Sequence, residues 1–303
     1  MKKKGRIFVI DGNHALHRVW FTLRTGRPIE EALPYAFTSL ICKDAVAVKA
    51  THMLVAFDGK QVFRYGVYDG YKADRKNKKQ SGPAVDSQYT KPTGDVYDYL
   101  PDVYSMLSDA RITYFQPKKH EADDVLASVG HQYSDEYQVV LGAQDKDDYQ
   151  CLKGKHVLMY DSAHKNKESK PDPIYITEAD LMEREGLTPA QFLQYQILLG
   201  DKIDSIPRIG TFKPLQIKKG LIEHGTIADW YAAADADVKK MFDMNRVAIK
   251  RNRKLVTLKT DVLPPTEPDE WKPPKAKSFE AQSLPSTYHA WHSQLYPKSR
   301  GLF

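Results

Sequence analysis

The acidic residues of this sequence are placed where they could bind metal ions together. Seven of them follow apolar, strand-like runs directly or after a short loop: Asp11, Asp58, Glu121, Asp123, Asp124, Asp145 and Asp147. Any one of them could simply cap a helix or complement the dipole of its first turn. Gathered at one place, seven carboxylates would repel one another unless cations offset their charge. The pattern therefore indicates a cation site.

The segments that must position these acids alternate between strand-like and helix-like patterns. The predicted strands are residues 6–10, 52–57, 112–115, 137–141 and 156–160, and the predicted helices are residues 33–50, 95–108 and 121–133. This alternation predicts an α/β fold with a central, mostly parallel sheet flanked by helices. The strand-to-helix loops of such a sheet converge beyond the carboxyl ends of its strands, so the acids are expected at one edge.

The second half of the chain is predicted to be helical. A loop-like junction at 162–173 separates an α/β core (1–173) from a helical region (174–262), in which Thr177 and Thr188-Pro189 are expected to begin helices. Asp201 and Asp204 follow the second of these helices. The Pro-rich tail, 263–303, is expected to be an extended segment that packs back on the body.

Composition and charge exclude several classes of protein. The chain has 303 residues, 41% of them hydrophobic, which is typical of one large or two fused globular domains. No run approaches the roughly 20 apolar residues of a membrane span, and a secretory signal is not expected. Two cysteines, Cys42 and Cys151, provide no disulfide framework and suit a reducing cytoplasm.

The basic residues form clusters, one at 72–79 and one at 246–254. The formal net charge is +6, from 45 basic and 39 acidic residues. If nine acids, the seven above with Asp201 and Asp204, form one cluster, the remaining 30 face 45 basic residues, an excess of 15. Such a surface suits the binding of a polyanion such as DNA.

Seven short motifs follow one another along the chain: Ile10-Asp11-Gly12-Asn13, Phe57-Asp58-Gly59, Val62-Phe63-Arg64, residues 71–75 (YKADR), residues 121–127 (EADDVLA), Asp145-Lys146-Asp147, and Gly200-Asp201 with Asp204. They resemble the motifs of the structure-specific 5′-nucleases, a family of flap endonucleases, bacteriophage 5′-exonucleases and the nuclease domains of family A DNA polymerases. Together they span roughly residues 6 to 224. Seven motifs in this order are a specific signal, although none is specific alone.

The resemblance implies two divalent cations, Mg²⁺ or Mn²⁺. By analogy with the family, one ion would be held by Asp11, Asp58, Glu121, Asp123 and Asp124, and the second by Asp145, Asp147, Asp201 and Asp204. Hard oxygen ligands select such ions, and two of them suit phosphoryl chemistry. Many of these acids are expected to bind through water.

The resemblance also implies roles for basic and aromatic residues. Lys72 and Arg75 would be catalytic, contacting the scissile phosphate from the base of an arch over 72–93. Tyr71 would stack on a frayed base, Arg64 would support a phosphate or form a surface ion pair, and Lys76 would bind DNA.

Three departures from the family pattern stand out. Asp74 replaces a usual Asn, and Asp148 replaces a usual apolar residue after the Asp145–Asp147 pair. The expected helix-hairpin-helix, with its hairpin near 205–224, is about three residues shorter than usual. Arg208 and Lys213 are predicted to grip a DNA phosphate there, and the family pattern allows a monovalent cation at the hairpin.

The predicted function is a metal-dependent 5′-3′ exonuclease or flap endonuclease of DNA replication and primer removal. Its partner would be DNA, as a 5′ flap, a nicked or an RNA-primed duplex, and we expect a monomer without membrane association, in the cytoplasm (the host's, if phage-encoded). The alternatives are a PIN-type ribonuclease, a phosphomonoesterase with an Asp nucleophile in the 57–59 region, and a nonenzymatic duplex-DNA-binding protein.

Overall fold

A computed structural model of the chain describes residues 3–73, 94–161, 174–273, 275 and 284–297. At its centre lies a six-stranded sheet of order β3-β2-β1-β4-β5-β6. The strands are β1 (Arg6–Asp11), β2 (His52–Ala56), β3 (Thr113–Phe115), β4 (Gln138–Gly142), β5 (Val157–Tyr160) and β6 (Tyr175–Ile176). The first five are parallel, and β6 pairs antiparallel with β5. The predicted α/β class with a mostly parallel sheet is confirmed.

Eleven α-helices surround this sheet in the described part of the chain. They are α1 (Gly12–Thr22), α2 (Ile29–Ala47), α3 (Leu100–Asp109), α4 (Ala122–Tyr133), α5 (Glu178–Glu185), α6 (Pro189–Leu199), α7 (Pro214–His224), α8 (Ile227–Ala233), α9 (Ala236–Met244), α10 (Arg246–Val256) and α11 (Ser286–Leu295). No helix within the described ranges combines the length and apolarity that crossing a bilayer requires.

The strand register brings the carboxyl ends of the central strands level with one another. Asp11 pairs with Ala56 on β2, and Ile10 pairs with Gly142 on β4. All five residues of β2 are buried, as expected for a parallel strand covered on both faces. The loops that follow β1, β2 and β4 therefore begin at the same edge.

Two apolar clusters cover the two faces of the sheet. One joins the sheet to α1, α2, α3 and α11, and includes Phe37 and Trp291. The other runs from the sheet through α4 and the helices of residues 178–256, and includes Phe212 and Trp271. The helical half thus shares a continuous core with the sheet, and the boundaries proposed at 173 and 262 stay a prediction.

Some local predictions differ from the structure. Helix α1 and strand β6 were not predicted. The tail, expected to be extended, contains α11, whose Trp291 indole donates to the Ala50 carbonyl at 3.0 Å; the amphipathic spacing of Tyr288, Trp291 and Leu295 accounts for the helix. The arch segment beyond residue 73 and the junction at 162–173 lie outside the described residues.

Candidate active site

The first acidic group, Asp11, Asp58 and Asp123, assembles where β1 and β2 end and α4 begins. Asp11 caps α1, its Oδ1 accepting from the His14 amide at 2.9 Å. Asp58 Oδ1 accepts from the Ala122 amide at 2.9 Å, which fixes the start of α4 and hence Asp123 in its first turn. Gly12 permits this close packing, because a Cβ there would lie 2.8 Å from the Ala56 carbonyl oxygen.

The second acidic group, Asp145, Asp147, Asp201 and Asp204, joins the loop after β4 to the loop after α6. Asp145 caps a 3-10 helix over Lys146–Cys151, and Asp147 accepts a hydrogen bond from the Gln196 side chain of α6. Asp201 Oδ1 accepts from the amides of Ile203 and Asp204 within a small hairpin over residues 201–206.

The pKa shifts of these groups show that their charges act on one another. Burial and the nearby charge of Asp58 raise the pKa of Asp11 to about 7. Burial, followed by the charges of Asp145, Asp201 and Asp204, raises the pKa of Asp147 to about 8. Burial and surrounding carboxylates also hold the pKa of Asp123 well above its usual range. The structure therefore brings the strand-end acids into one strongly negative field.

The donor set fits hard divalent cations. Its ligands would be carboxylate oxygens only, and Mg²⁺ and Mn²⁺ prefer such hard oxygen ligands to softer ones such as thiolates. Among the described residues, however, no three His, Cys, Asp or Glu side chains are arranged as a ready-made metal site. Mutual repulsion of unneutralised carboxylates and ligation through water are both consistent with this spacing.

Arg64 is the centre of a buried ion cluster, contrary to prediction. It is 1% exposed, and its guanidinium forms a two-pronged contact with Asp124 at 2.6 and 2.7 Å and donates to Glu121 at 2.9 Å. Its Nε also donates to the Leu255 carbonyl at 2.8 Å. The predictions that Arg64 supports a DNA phosphate or forms a surface pair are therefore wrong, because the side chain is buried and fully engaged.

Asp124 is the second member of this buried cluster. Both of its oxygens accept from Arg64, and Oδ1 also accepts from the Lys259 amide at 2.8 Å. Although burial opposes it, the hydrogen bonds and charge of Arg64 lower the pKa of Asp124. Both oxygens of Asp124 are thus already engaged, and its role as a ligand stays a prediction.

Tyr71 and Lys72 lie between the two acidic groups. The Tyr71 hydroxyl lies 2.9 Å from Glu121 Oε2 and 3.2 Å from Asp204 Oδ2, and its side chain is buried. The prediction that Tyr71 stacks on a base is wrong for this conformation, since its ring is covered. Lys72 Nζ lies 2.5 Å from Glu121 Oε1 and 3.7 Å from Asp204 Oδ2, at the centre of the acidic site. Glu121 is thus shared among three partners, and its role as a ligand stays a prediction.

The predicted DNA-binding residues beyond the acids are only partly described. Arg208 and Lys213 are exposed in the loop between α6 and α7. The paired hairpin covers residues 201–206 instead of beginning near 205, and α7 follows at 214. Arg75 and Lys76 lie outside the described residues, and the helix-hairpin-helix assignment stays a prediction.

Several residues of the site were not singled out by sequence reasoning. Asn13 Oδ1 accepts from the Asp58 amide at 2.9 Å, and its side chain also lies near the Tyr97 hydroxyl. The buried Asn252 donates to the carbonyls of Ile197 and Pro207, joining α10 to the loop that carries Asp201 and Asp204. Asn13 lies within a quoted motif and could have been assigned; Asn252 gave no local signal.

Comparison with known proteins identifies what this architecture resembles. A family model described as the 5′-3′ exonuclease N-terminal resolvase-like domain matches residues 6–186. DNA polymerase I of Bacillus caldotenax is 28% identical over 270 residues, which is 86% of this chain and 28% of that protein. Thermostable DNA polymerase I of Thermus aquaticus is 30% identical over 232 residues, 74% of this chain and 24% of that protein. The chain spans about a quarter of the length of these relatives.

Solved structures share the fold. The bacteriophage T5 D15 flap endonuclease, in a pseudo-enzyme–product complex with DNA and metal ions, superposes with a TM-score of 0.64 at 20% identity, covering 84% of this chain and 90% of that one. T5 5′-exonuclease with bound divalent zinc ions gives a TM-score of 0.59 at 18% identity, and the match covers 96% of this chain and 98% of that one. The sheet, the surrounding helices and their order are therefore those of a known nuclease architecture.

Proposed function

We propose, from the premise that this chain belongs to the family of 5′-3′ exonuclease N-terminal resolvase-like domains, that it hydrolyses phosphodiester bonds near the 5′ ends of DNA. The observation that carries the proposal is the meeting of acids from three strand ends with those of the 201–206 hairpin in one negative field. Hydrolysis of a polyanion at such a site requires cations, which the carboxylates are suited to hold.

Two divalent ions, Mg²⁺ or Mn²⁺, are the proposed cofactors. Asp11, Asp58 and Asp123 would hold one, and Asp145, Asp147, Asp201 and Asp204 the other, with Glu121 reaching the site beside Lys72. When bound, such ions lower the pKa of an attacking water and stabilise charge on the phosphate. The Lys72 ammonium, which contacts Glu121 and Asp204, would meet negative charge that develops on the same phosphate.

The proposed substrate is DNA at a junction of single and double strands, such as a 5′ flap, a nick or an RNA-primed duplex. An excess of basic residues outside the acidic site supports binding of a polyanion. The neighbours of known structure include a flap endonuclease in a complex with DNA and metal ions. We further propose a monomer that acts in the cytoplasm, a placement for which the two free cysteines are the support.

The direct test compares cleavage of end-labelled 5′-flap, nicked duplex and single-stranded DNA, with and without Mg²⁺. We expect metal-dependent cleavage near the junction and products with a 5′-phosphate. Asp123→Asn should abolish turnover while circular dichroism shows a folded protein. Full activity after dialysis against EDTA would contradict the metal assignment.

The same assay, with an end-labelled single-stranded RNA as a further substrate, separates the alternatives. A PIN-type ribonuclease would cut only RNA, and a phosphomonoesterase would release inorganic phosphate from a labelled end without shortening the strand. Binding without cleavage in Mg²⁺ and Mn²⁺ would indicate a nonenzymatic DNA-binding protein.

A further inference from the structure

Asp148 is a buried carboxylate without a hydrogen-bond partner. It lies in the 3-10 helix of Lys146–Cys151, directly after Asp147, and is 0% exposed. Neither Oδ1 nor Oδ2 has a partner among the described residues. Asp124 is equally buried, but there Arg64 neutralises the charge. Asp148 therefore requires an explanation that Asp124 does not.

The groups facing Asp148 are themselves acidic. After burial, the charges that raise the pKa of Asp148 furthest are those of Asp145 and Asp11, followed by Asp147 and Asp124. In turn, Asp148 is the nearby charge that contributes most to the raised pKa of Asp123. Its carboxylate, directly after Asp147 in the chain, therefore lies in the electrostatic field of both acidic groups.

The two basic side chains that the structure describes in this region, Arg64 and Lys72, contact other acids. Arg64 is held by Asp124 and Glu121, and Lys72 contacts Glu121 and Asp204. A buried carboxylate with neither a hydrogen bond nor an opposite charge is strongly unfavourable, more so than an apolar side chain at the same position. Without a cation such a carboxylate has to bind a proton, in keeping with its raised pKa, whereas a divalent ion at the acidic site beside it would let it stay charged.

We infer that Asp148 is a further carboxylate of the divalent-ion site, acting on the ions directly or through metal-bound water. The inference rests on the proposed function, because it assigns Asp148 to the ions that function requires. It has two consequences. The ions bind more tightly with Asp148 than without it, and the fold is less stable in their absence because Asp148 is then uncompensated.

The test measures metal binding and thermal stability, independently of activity. Asp148→Asn removes the charge at nearly constant shape, and Asp148→Leu supplies an apolar side chain of similar size. Asp44→Asn is the matched control, since Asp44 is also buried but pairs with Arg18 on α1. Mn²⁺ and Mg²⁺ dissociation constants are measured by calorimetry, and Tm is measured in EDTA and in saturating Mg²⁺, all on the full chain.

We expect both Asp148 variants to weaken Mn²⁺ binding about 10- to 100-fold, the usual effect of losing a group that supports a metal ligand. Their Tm in EDTA should rise by about 2 °C or more, and the further rise on adding Mg²⁺ should shrink. Asp44→Asn should leave the metal response as in the wild type.

Two results would overturn the inference. An unchanged metal affinity in both variants would make Asp148 a buried acid without a part in ion binding. A lower Tm in EDTA for both variants would show that the carboxylate makes a structural contact of its own. If the wild type itself binds no divalent ion, the proposed function fails as well, which distinguishes that failure from failure of this inference alone.

Discussion

At the scale of the residue, Arg64 shows how burial changes the role of a charged side chain. An arginine beside a predicted active site suggests phosphate binding, but here the guanidinium lies inside the protein and joins α4 to the end of α10. Removing one partner of a buried ion pair leaves the other charge uncompensated. Replacing Arg64 is therefore expected to lower the stability of the fold and not to weaken DNA binding directly.

We predict that Arg64→Met lowers the free energy of unfolding by about 3–5 kcal/mol, the usual loss when one partner of a buried pair is removed. The reason is that Asp124 remains buried without its cation, while Glu121 keeps only Lys72. Chemical denaturation measures the change. The double variant Arg64→Met/Asp124→Leu should recover part of the loss, and a single variant as stable as the wild type would contradict the buried cluster.

Lys72 has an unusual backbone conformation, and its side chain lies against acids of the site. Its φ of 53° lies in the left-handed region, and its amide donates to the Asp204 carbonyl at 2.9 Å. Such a conformation in a residue other than glycine is strained by about 1–3 kcal/mol and persists only where surrounding contacts impose it. The backbone contact with Asp204 thus fixes the ammonium at the acidic site.

Lys72→Ala should reduce turnover about 10²- to 10³-fold, the loss typical of removing one preorganised charge-stabilising group. Single-turnover rates at saturating DNA measure the effect free of affinity. Lys76→Ala is the control from the same basic run, and it should mainly weaken binding. Equal single-turnover rates for the two variants would remove Lys72 from the catalytic group.

At the scale of the element, the loop between α6 and α7 carries two acids of the site, Asp201 and Asp204, and two exposed basic residues, Arg208 and Lys213. Gly200 adopts a φ of 71°, and a Cβ there would lie 2.4 Å from the Ile206 carbonyl oxygen, so the turn requires glycine. Asn252 of α10 holds the same loop by donating hydrogen bonds to the carbonyls of Ile197 and Pro207. Arg208 and Lys213 therefore project from a loop whose base is fixed.

Replacing Arg208 or Lys213 by Ala should lower the slope of log affinity against log salt by roughly one unit each, because each lost phosphate contact releases fewer counterions. DNA-binding titrations between low and moderate salt measure the slope. Lys155→Ala is the control, since Lys155 is exposed before β5, at the opposite edge of the sheet. Unchanged slopes for both loop variants would exclude this loop from the DNA-binding surface.

At the scale of the whole molecule, the stability of the fold should depend on the neutral form of His52. This residue begins β2, is 0% exposed, and lies against Tyr137 with 5.1 Å between ring centroids. Burial, with a smaller contribution from the charge of Lys272, lowers the pKa of His52 to about 4. As the pH falls, His52 therefore binds a proton near pH 6.5 in the unfolded chain but only near pH 4 in the folded chain.

The free energy of unfolding should accordingly fall as the pH is lowered from about 6.5 to about 4, by up to about 3 kcal/mol from His52 alone. The acidic groups titrate as well, so the measured quantity is the difference between wild type and His52→Gln in urea denaturation at each pH. We expect the pH-dependent loss to be smaller in the variant. Parallel curves for the two proteins would contradict a buried, neutral His52.

The sequence by itself determined the five parallel strands of the sheet and the location of the acids. Apolar runs followed by Asp11, Asp58 and Asp145 are local patterns, and the geometry of a parallel sheet carries their ends to one edge. Local capping residues also predicted three helix starts, at Glu121, Thr177 and Thr188. These features depend on residues within a few positions of one another, which is why they could be predicted.

Only the tertiary structure decided which charged groups are buried and with what partners. Arg64 donates to a carbonyl 191 residues away in the chain, and the Tyr71 hydroxyl lies beside Glu121 and Asp204. Asp148 is buried, and its oxygens have no hydrogen-bond partner within the described ranges. No local pattern reports such contacts, because burial depends on segments that are distant in the chain and adjacent in the fold. The same residue type is therefore paired with a buried arginine in Asp124 and buried beside other acids in Asp148, because the fold brings Arg64 to the first and not to the second.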